Sequence, residues 1–117
     1  MKPEREFFPV TDVPFTAVDP RVPGLTERIL ARDPLTGFAT RILSFAKGTD
    51  TTVLGPQTHA FWEEVYVLSG SLTDQRLVKT FGAGTYACRP PGMPHGPWTA
   101  DDGCLTFEVR YAPVRPE

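Results

Sequence analysis

The sequence predicts an all-β domain, a sandwich or jelly-roll barrel, and three observations carry that prediction. Short apolar stretches of strand length recur along the chain, divided by turn residues. The 117 residues include 13 prolines and 10 glycines, most of them between those stretches. No segment carries a long amphipathic helical period.

Residues 1–24 hold Pro3, Pro9, Pro14, Pro20 and Pro23, with Phe7, Phe8, Val10, Val13, Phe15 and Val18 between them. This predicts an extended arm whose aromatics need cover, on a sheet of its own or of a neighbouring subunit. Residues 25–112 are expected to form one folded domain. Within it TERILAR (26–32) reads as a strand, DPLTG (33–37) as a turn and FATRILSFA (38–46) as the returning strand. KGTD (47–50) turns again, and 51–55 is a short extended piece. VYVL (65–68) is the clearest strand, rich in β-branched and aromatic residues, and Ser71 to Asp74 follow Ser69-Gly70 as its hairpin partner. Residues 75–79 and 84–89 are predicted strands around Gly82-Ala83-Gly84. PPGMP (90–94) is irregular, because its three prolines withhold amide donors. Residues 95–98 and CLTFEVRY (104–111) are the last strands, and the tail from Ala112 is expected to be loose.

Composition narrows the function classes. A hydrophobic content of 40% and a charged content of 22% are those of a soluble globular chain. A net charge of −2 argues against a nucleic-acid surface, and no apolar run is long enough to cross a bilayer. The opening MKPEREFFPV is charged and broken by proline, unlike a secretory signal. Two cysteines, Cys88 and Cys104, make no disulfide framework, so a reduced cytoplasmic setting is expected.

The chemistry concentrates at the two histidines, His59 and His95. Gln57 and His59 alternate along an extended chain and so share a face. Glu63 enters from the start of the next strand. Val65 and Val67 lie on its face, and Glu64, Tyr66 and Leu68 on the other. Two imidazoles and one carboxylate would hold a divalent cation and leave positions open for water, oxygen or substrate. Taken singly, the same residues read as surface histidines beside a solvated Glu63-Glu64 pair. The surrounding spacing decides between the two.

That spacing resembles the two cupin motifs. Gln57-Thr58-His59 stands at the His-x-His place, followed by Ala60-Phe61-Trp62, Glu63, and six residues to Gly70. Gly84 is followed by five residues, Pro90-Pro91-Gly92, Met93-Pro94, His95, and Thr99 at the place of the family asparagine. Residues from about 25 to 111, including EEVYVLSGSLTD and GAGTYACRPPGMPHGPW, resemble the branch with the ChrR-type cupin domain and the acetylacetone- and dihydroxyacetophenone-cleaving dioxygenases.

The resemblance implies a double-stranded β-helix, a cupin jelly-roll barrel with one divalent metal ion near a mouth. It implies His59, Glu63 and His95 as ligands. Glu63 is preferred over Glu64 because it keeps the family spacing to Gly70 and the inward parity with Val65. Gln57 replaces the first family histidine, and would ligate through its amide oxygen or bond a metal-bound water. Fe(II) is the expected ion, with Zn, Ni or Mn as others that the same ligands accept. The implied function is dioxygenase-like action on a small diketone, hydroxyketone or aromatic ketone. A non-oxidative isomerase, lyase or cyclase and a non-catalytic binding cupin are the alternatives. The ChrR sensor's cupin follows a separate anti-sigma domain, for which 117 residues leave no room. A small-molecule substrate and a homodimer are the expected partners. Phe61, Trp62 and Trp98 flank the ligands as pocket wall or as plain core. Arg41, Arg89 and Arg110 lie on strands; one could bind an anionic substrate group, with two of the three expected in solvent. Both cysteines read as small hydrophobes packed in strands.

Overall fold

The computed structural model describes residues 1–113, so the end of the expected loose tail lies outside the described residues. The described residues form nine strands and two 3-10 turns: β1 (Thr16–Ala17), β2 (Leu25–Arg32), β3 (Ala39–Phe45), β4 (Thr49–Asp50), β5 (Trp62–Asp74), β6 (Lys79–Gly82), β7 (Tyr86–Arg89), β8 (Trp98–Ala100) and β9 (Cys104–Tyr111). All pairings are antiparallel, along the path β1-β2-β3-β9-β5-β8-β4, with β6 and β7 also on β5. The first half of β5 pairs with β7 and β9, and its second half with β6 and β8. One long strand thus carries the chain from one sheet into the other and curls the whole around a single interior. Among the described residues no helix is long and apolar enough to cross a bilayer.

The interior follows from strand alternation. In β3 the buried residues are Ala39, Arg41, Leu43 and Phe45; in β9 they are Cys104, Thr106 and Glu108. Their register sets Phe45 against Cys104, Leu43 against Thr106 and Arg41 against Glu108. The lining therefore grades from apolar to charged along the barrel. At the apolar end Val22, Leu25, Leu43, Phe45, Val67 and Leu72 pack together. Removing that much apolar surface from water is the main stabilising term for a chain of this size.

Gly70 lets β5 change sheets. Its φ is 73°, and a Cβ there would lie 2.1 Å from the carbonyl oxygen of Gly103. The register against β9 shifts between Val67 and Ser69, so a bulge and a glycine bend the strand together. The predicted hairpin at Ser69-Gly70 is in fact this bend within one continuous strand.

Other elements also differ from expectation. Thr49–Asp50 is a strand, and a 3-10 turn covers Thr52–Leu54 where an extended piece is predicted. Asp50 Oδ1 accepts the Thr52 amide at 2.8 Å and diverts the chain. Residues 75–78 turn, because Asp74 Oδ1 takes the amides of Arg76 and Leu77 at 2.9 and 3.0 Å. The last-but-one strand starts at Trp98 and not at His95, since Pro97 has no donor for a ladder. Cys104 is buried as expected, but Cys88 is exposed, because it alternates outward on β7.

The N-terminal arm follows β2 and β3. Lys2 Nζ donates to Thr40 Oγ1 at 2.9 Å, and an Arg5 guanidinium nitrogen donates to the Leu30 carbonyl at 3.0 Å. β1 pairs with β2, and Phe15 lies under the Arg28 guanidinium at 4.0 Å. Phe7 is fully exposed.

Candidate metal centre

Backbone hydrogen bonds bring the two histidine segments together. Gln57 and His95 form an antiparallel bridge, each amide donating to the other's carbonyl at 2.7 and 2.9 Å. The Gly92 amide donates to the His59 carbonyl at 2.8 Å. Pro90, Pro91 and Pro94 lack amide donors, so Gly92 and His95 supply the bonds that zip this loop to the first segment. Gly92 has a φ of 83°, a left-handed turn that glycine adopts without strain.

His59, Glu63 and His95 converge at the charged end of the barrel. Their nearest donor atoms all lie within 4.8 Å of one another. His59 Nε2 is 3.9 Å from Glu63 Oε2, and His95 Nε2 is 3.8 Å from Glu63 Oε1. His95 Nδ1 faces the Met93 carbonyl at 3.4 Å, which leaves Nε2 turned toward the carboxylate. Glu63 is buried on the same face as Val65 and Val67, while Tyr66 and Leu68 point out, as the alternation predicts. The Gln57 side chain lines the same cavity and donates Nε2 to the Leu54 carbonyl at 3.3 Å.

Electrostatics suit a cation here. Burial holds the His95 imidazole well below its ordinary value, at about 4, and the Arg89 charge acts in the same direction. Burial also lowers His59, against the attraction of Glu63. Neutral imidazoles present lone pairs. Burial alone would raise Glu63, but the charge and hydrogen bond of Arg110 outweigh it and keep the carboxyl below its usual range. The donor set is therefore two neutral imidazoles and an ionised carboxylate, which fits a divalent first-row ion. Arg89 Nη1 contacts Glu63 Oε1 only at 3.4 Å, so that oxygen keeps capacity for an ion.

All three arginines turn inward, which corrects the expectation that two of them are solvated. Glu63 lies in register with Arg89 on β7 and with Arg110 on β9. Arg110 Nε donates to Glu63 Oε2 at 2.8 Å. Arg41 is buried, and its Nε and Nη2 donate to Glu108 Oε1 at 3.1 and 2.8 Å while Nη1 bonds Glu27. Thr106 Oγ1 completes this group on Glu108 Oε2 at 2.8 Å.

Two cavities meet at the site. A smaller one of about 130 Å³ is lined by Gln57, His59, Glu63, His95, Arg110 and other inward residues. A larger one of about 220 Å³ lies among Val67, Leu77, Phe81, Tyr86 and Met93. Val65, Leu72, Arg89, His95 and Trp98 line both. Trp98 thus sits in the pocket wall. Phe61 stacks on His59 at 4.5 Å and lines neither cavity, so it supports the His59 ring from outside. Trp62 alternates away from Glu63 and stacks on Tyr111 at 6.3 Å.

The comparisons agree with this architecture. The ChrR Cupin-like domain family matches residues 3–114. No curated protein matches the chain by sequence. Among solved structures, the polyketide cyclase RemF from Streptomyces resistomycificus is 25% identical, with a TM-score of 0.72 over 92% of this chain and 79% of its own. An RmlC-like cupin from Shewanella frigidimarina is 19% identical, with a TM-score of 0.72 over 97% and 95%. An acetylacetone dioxygenase from Acinetobacter johnsonii is 18% identical, with a TM-score of 0.71 over 91% and 73%. The curled antiparallel sheet is thus the cupin jelly-roll barrel, and the chain belongs to the ChrR cupin-like domain family.

Proposed function

We propose that this chain is a metal-dependent, dioxygenase-like enzyme acting on a small diketone, hydroxyketone or aromatic ketone. One divalent ion, Fe(II) by preference, would be held by His59, Glu63 and His95, with Gln57 as a fourth group. The observation that carries this reading is the convergence of two imidazoles and a single carboxylate beside a cavity of about 130 Å³. Such a triad leaves positions open, whereas a binding module would close its shell with protein ligands. When bound, the ion would supply Lewis acidity and a template for substrate and dioxygen.

The chain's own groups do the rest. Arg110 fixes the Glu63 carboxylate in orientation. The Leu54 carbonyl holds the Gln57 amide nitrogen, which leaves its oxygen as the free donor. Val65, Leu72 and Trp98 keep bulk water from the ligands, and the larger cavity offers room for the apolar remainder of a substrate. A cytoplasmic homodimer belongs to the same reading. Tyr66, Leu68 and Tyr86, 46%, 44% and 56% exposed, are apolar groups that a second copy would cover.

A non-oxidative lyase, isomerase or cyclase is the second reading, and the 25% identity to a polyketide cyclase favours it. Oxygen uptake by ferrous-loaded protein across a panel of β-diketones separates the two. Uptake matched to substrate loss supports the dioxygenase. No uptake with any diketone or hydroxyketone, together with turnover under nitrogen, removes it.

A further inference from the structure

We propose that the substrate carries a carboxylate besides its chelating carbonyl pair, and that Arg110, seconded by Arg89, binds it. This rests on the reading of the site as a metal centre for a diketone-type substrate.

The three inward arginines differ in what they have left to give. Arg41 has all three nitrogens engaged, with Nε, Nη1 and Nη2 donating to Glu27 or Glu108. Arg110 spends only Nε on Glu63 among the described residues, so its Nη edge is free. Arg89 makes one long contact of 3.4 Å through Nη1. Both guanidiniums are braced by aromatic faces, Arg110 on Phe61 at 5.1 Å and Arg89 on Trp98 at 5.2 Å. Such bracing orients a planar fork without using its donors. Both residues line the cavity that holds His59, Glu63 and His95.

Charge balance points the same way. Arg41, Arg89 and Arg110 face Glu27, Glu63 and Glu108, so these groups cancel. A divalent ion added here would stand unmatched in a largely buried site, where uncompensated charge is costly. A β-diketone supplies one negative charge by losing a proton. A carboxylate on the same molecule supplies the second, and a guanidinium edge with two parallel donors is the group that reads a carboxylate best.

The test uses two probes that share a diketone and differ by the acid, 2,4-pentanedione and 2,4-dioxopentanoate. Each is titrated calorimetrically into the chain loaded with redox-silent Zn(II), at fixed ionic strength, after metal content is measured. The acid is expected to bind at least about tenfold tighter than the diketone. Compared at equal measured Zn(II) content, Arg110→Gln should bring the ratio of acid to diketone affinity close to one, whatever its effect on both affinities through Glu63, and Arg110→Lys should restore part of that ratio. Equal affinities in the unmodified chain overturn the proposal with no variant needed. So does a preference that survives both Arg110→Gln and Arg89→Gln. Binding of neither probe to fully loaded protein overturns the diketone reading itself, and this proposal with it.

Discussion

Glu63 and Arg110 lie opposite each other across the β5–β9 pair, with Nε donating to Oε2 at 2.8 Å. A carboxylate so placed, with only 3% of its side chain exposed, stays ionised in a low-dielectric barrel because a cation is built in beside it. The neighbouring strand repeats the device, with Arg89 in register with Glu63 on β7. The barrel thus carries an anionic group at the point where two imidazoles converge.

The second ion pair of the interior is structural. Arg41→Met should leave the buried Glu108 and the partly buried Glu27 without their cation, at a cost of roughly 3–5 kcal/mol in urea unfolding. Arg21 pairs with Asp19 on the surface, and Arg21→Ala should leave the unfolding midpoint unchanged. A similar midpoint for both variants would show that the interior pair is dispensable.

Two glycines with similar dihedrals should respond differently to the same substitution. Gly70 and Gly84 have φ of 73° and 85°, but a Cβ meets the Gly103 carbonyl at Gly70 and nothing within 4 Å at Gly84. Gly84→Ala should cost about 1 kcal/mol, the left-handed penalty alone. Gly70→Ala should cost roughly 3 kcal/mol or more, because backbone must also move. Chemical denaturation of both variants checks the contrast, and equal losses would contradict the bend assigned to Gly70.

Part of this arrangement is legible in the chain alone. The alternation through Glu63, Val65 and Val67 set the inward face, and the spacing from Gly84 to His95 aligned the second histidine with the first. The arginine partners of Glu63 were hidden. They depend on register between strands distant in sequence, and that register is set by the bulge near Leu68 and by loop lengths. Parity along Cys104–Tyr111 puts Arg110 with Thr106 and Glu108, but parity does not say which face is inside. The turns at Asp50 and Asp74 are illegible in the apolar pattern for a local reason: a carboxylate that accepts nearby amides competes with the strand ladder.

The two tryptophans should report the centre unequally. Trp98 lines both cavities, and Trp62 stacks outward on Tyr111. In Trp62→Phe protein, Co(II) should quench most of the remaining emission. In Trp98→Phe protein it should quench little. The reverse pattern would place the ion elsewhere.

The thiols should separate as cleanly. Cys88 is exposed, whereas burial raises the Cys104 thiol to about 11. The thiolate is the reactive form, so a raised value slows reaction at neutral pH. Native protein should yield one fast-reacting thiol, and the second should appear only in denaturant. Two fast thiols would mean that the apolar end of the barrel opens readily.

Metal content decides the matter most directly. Protein loaded with Fe(II) or Zn(II) under anaerobic conditions, then desalted, should carry about one ion per chain by elemental analysis. His59→Ala and His95→Ala should each lose most of it while keeping the far-ultraviolet signature of the folded sheet. Unchanged ion content in both folded variants would contradict a centre built from His59, Glu63 and His95.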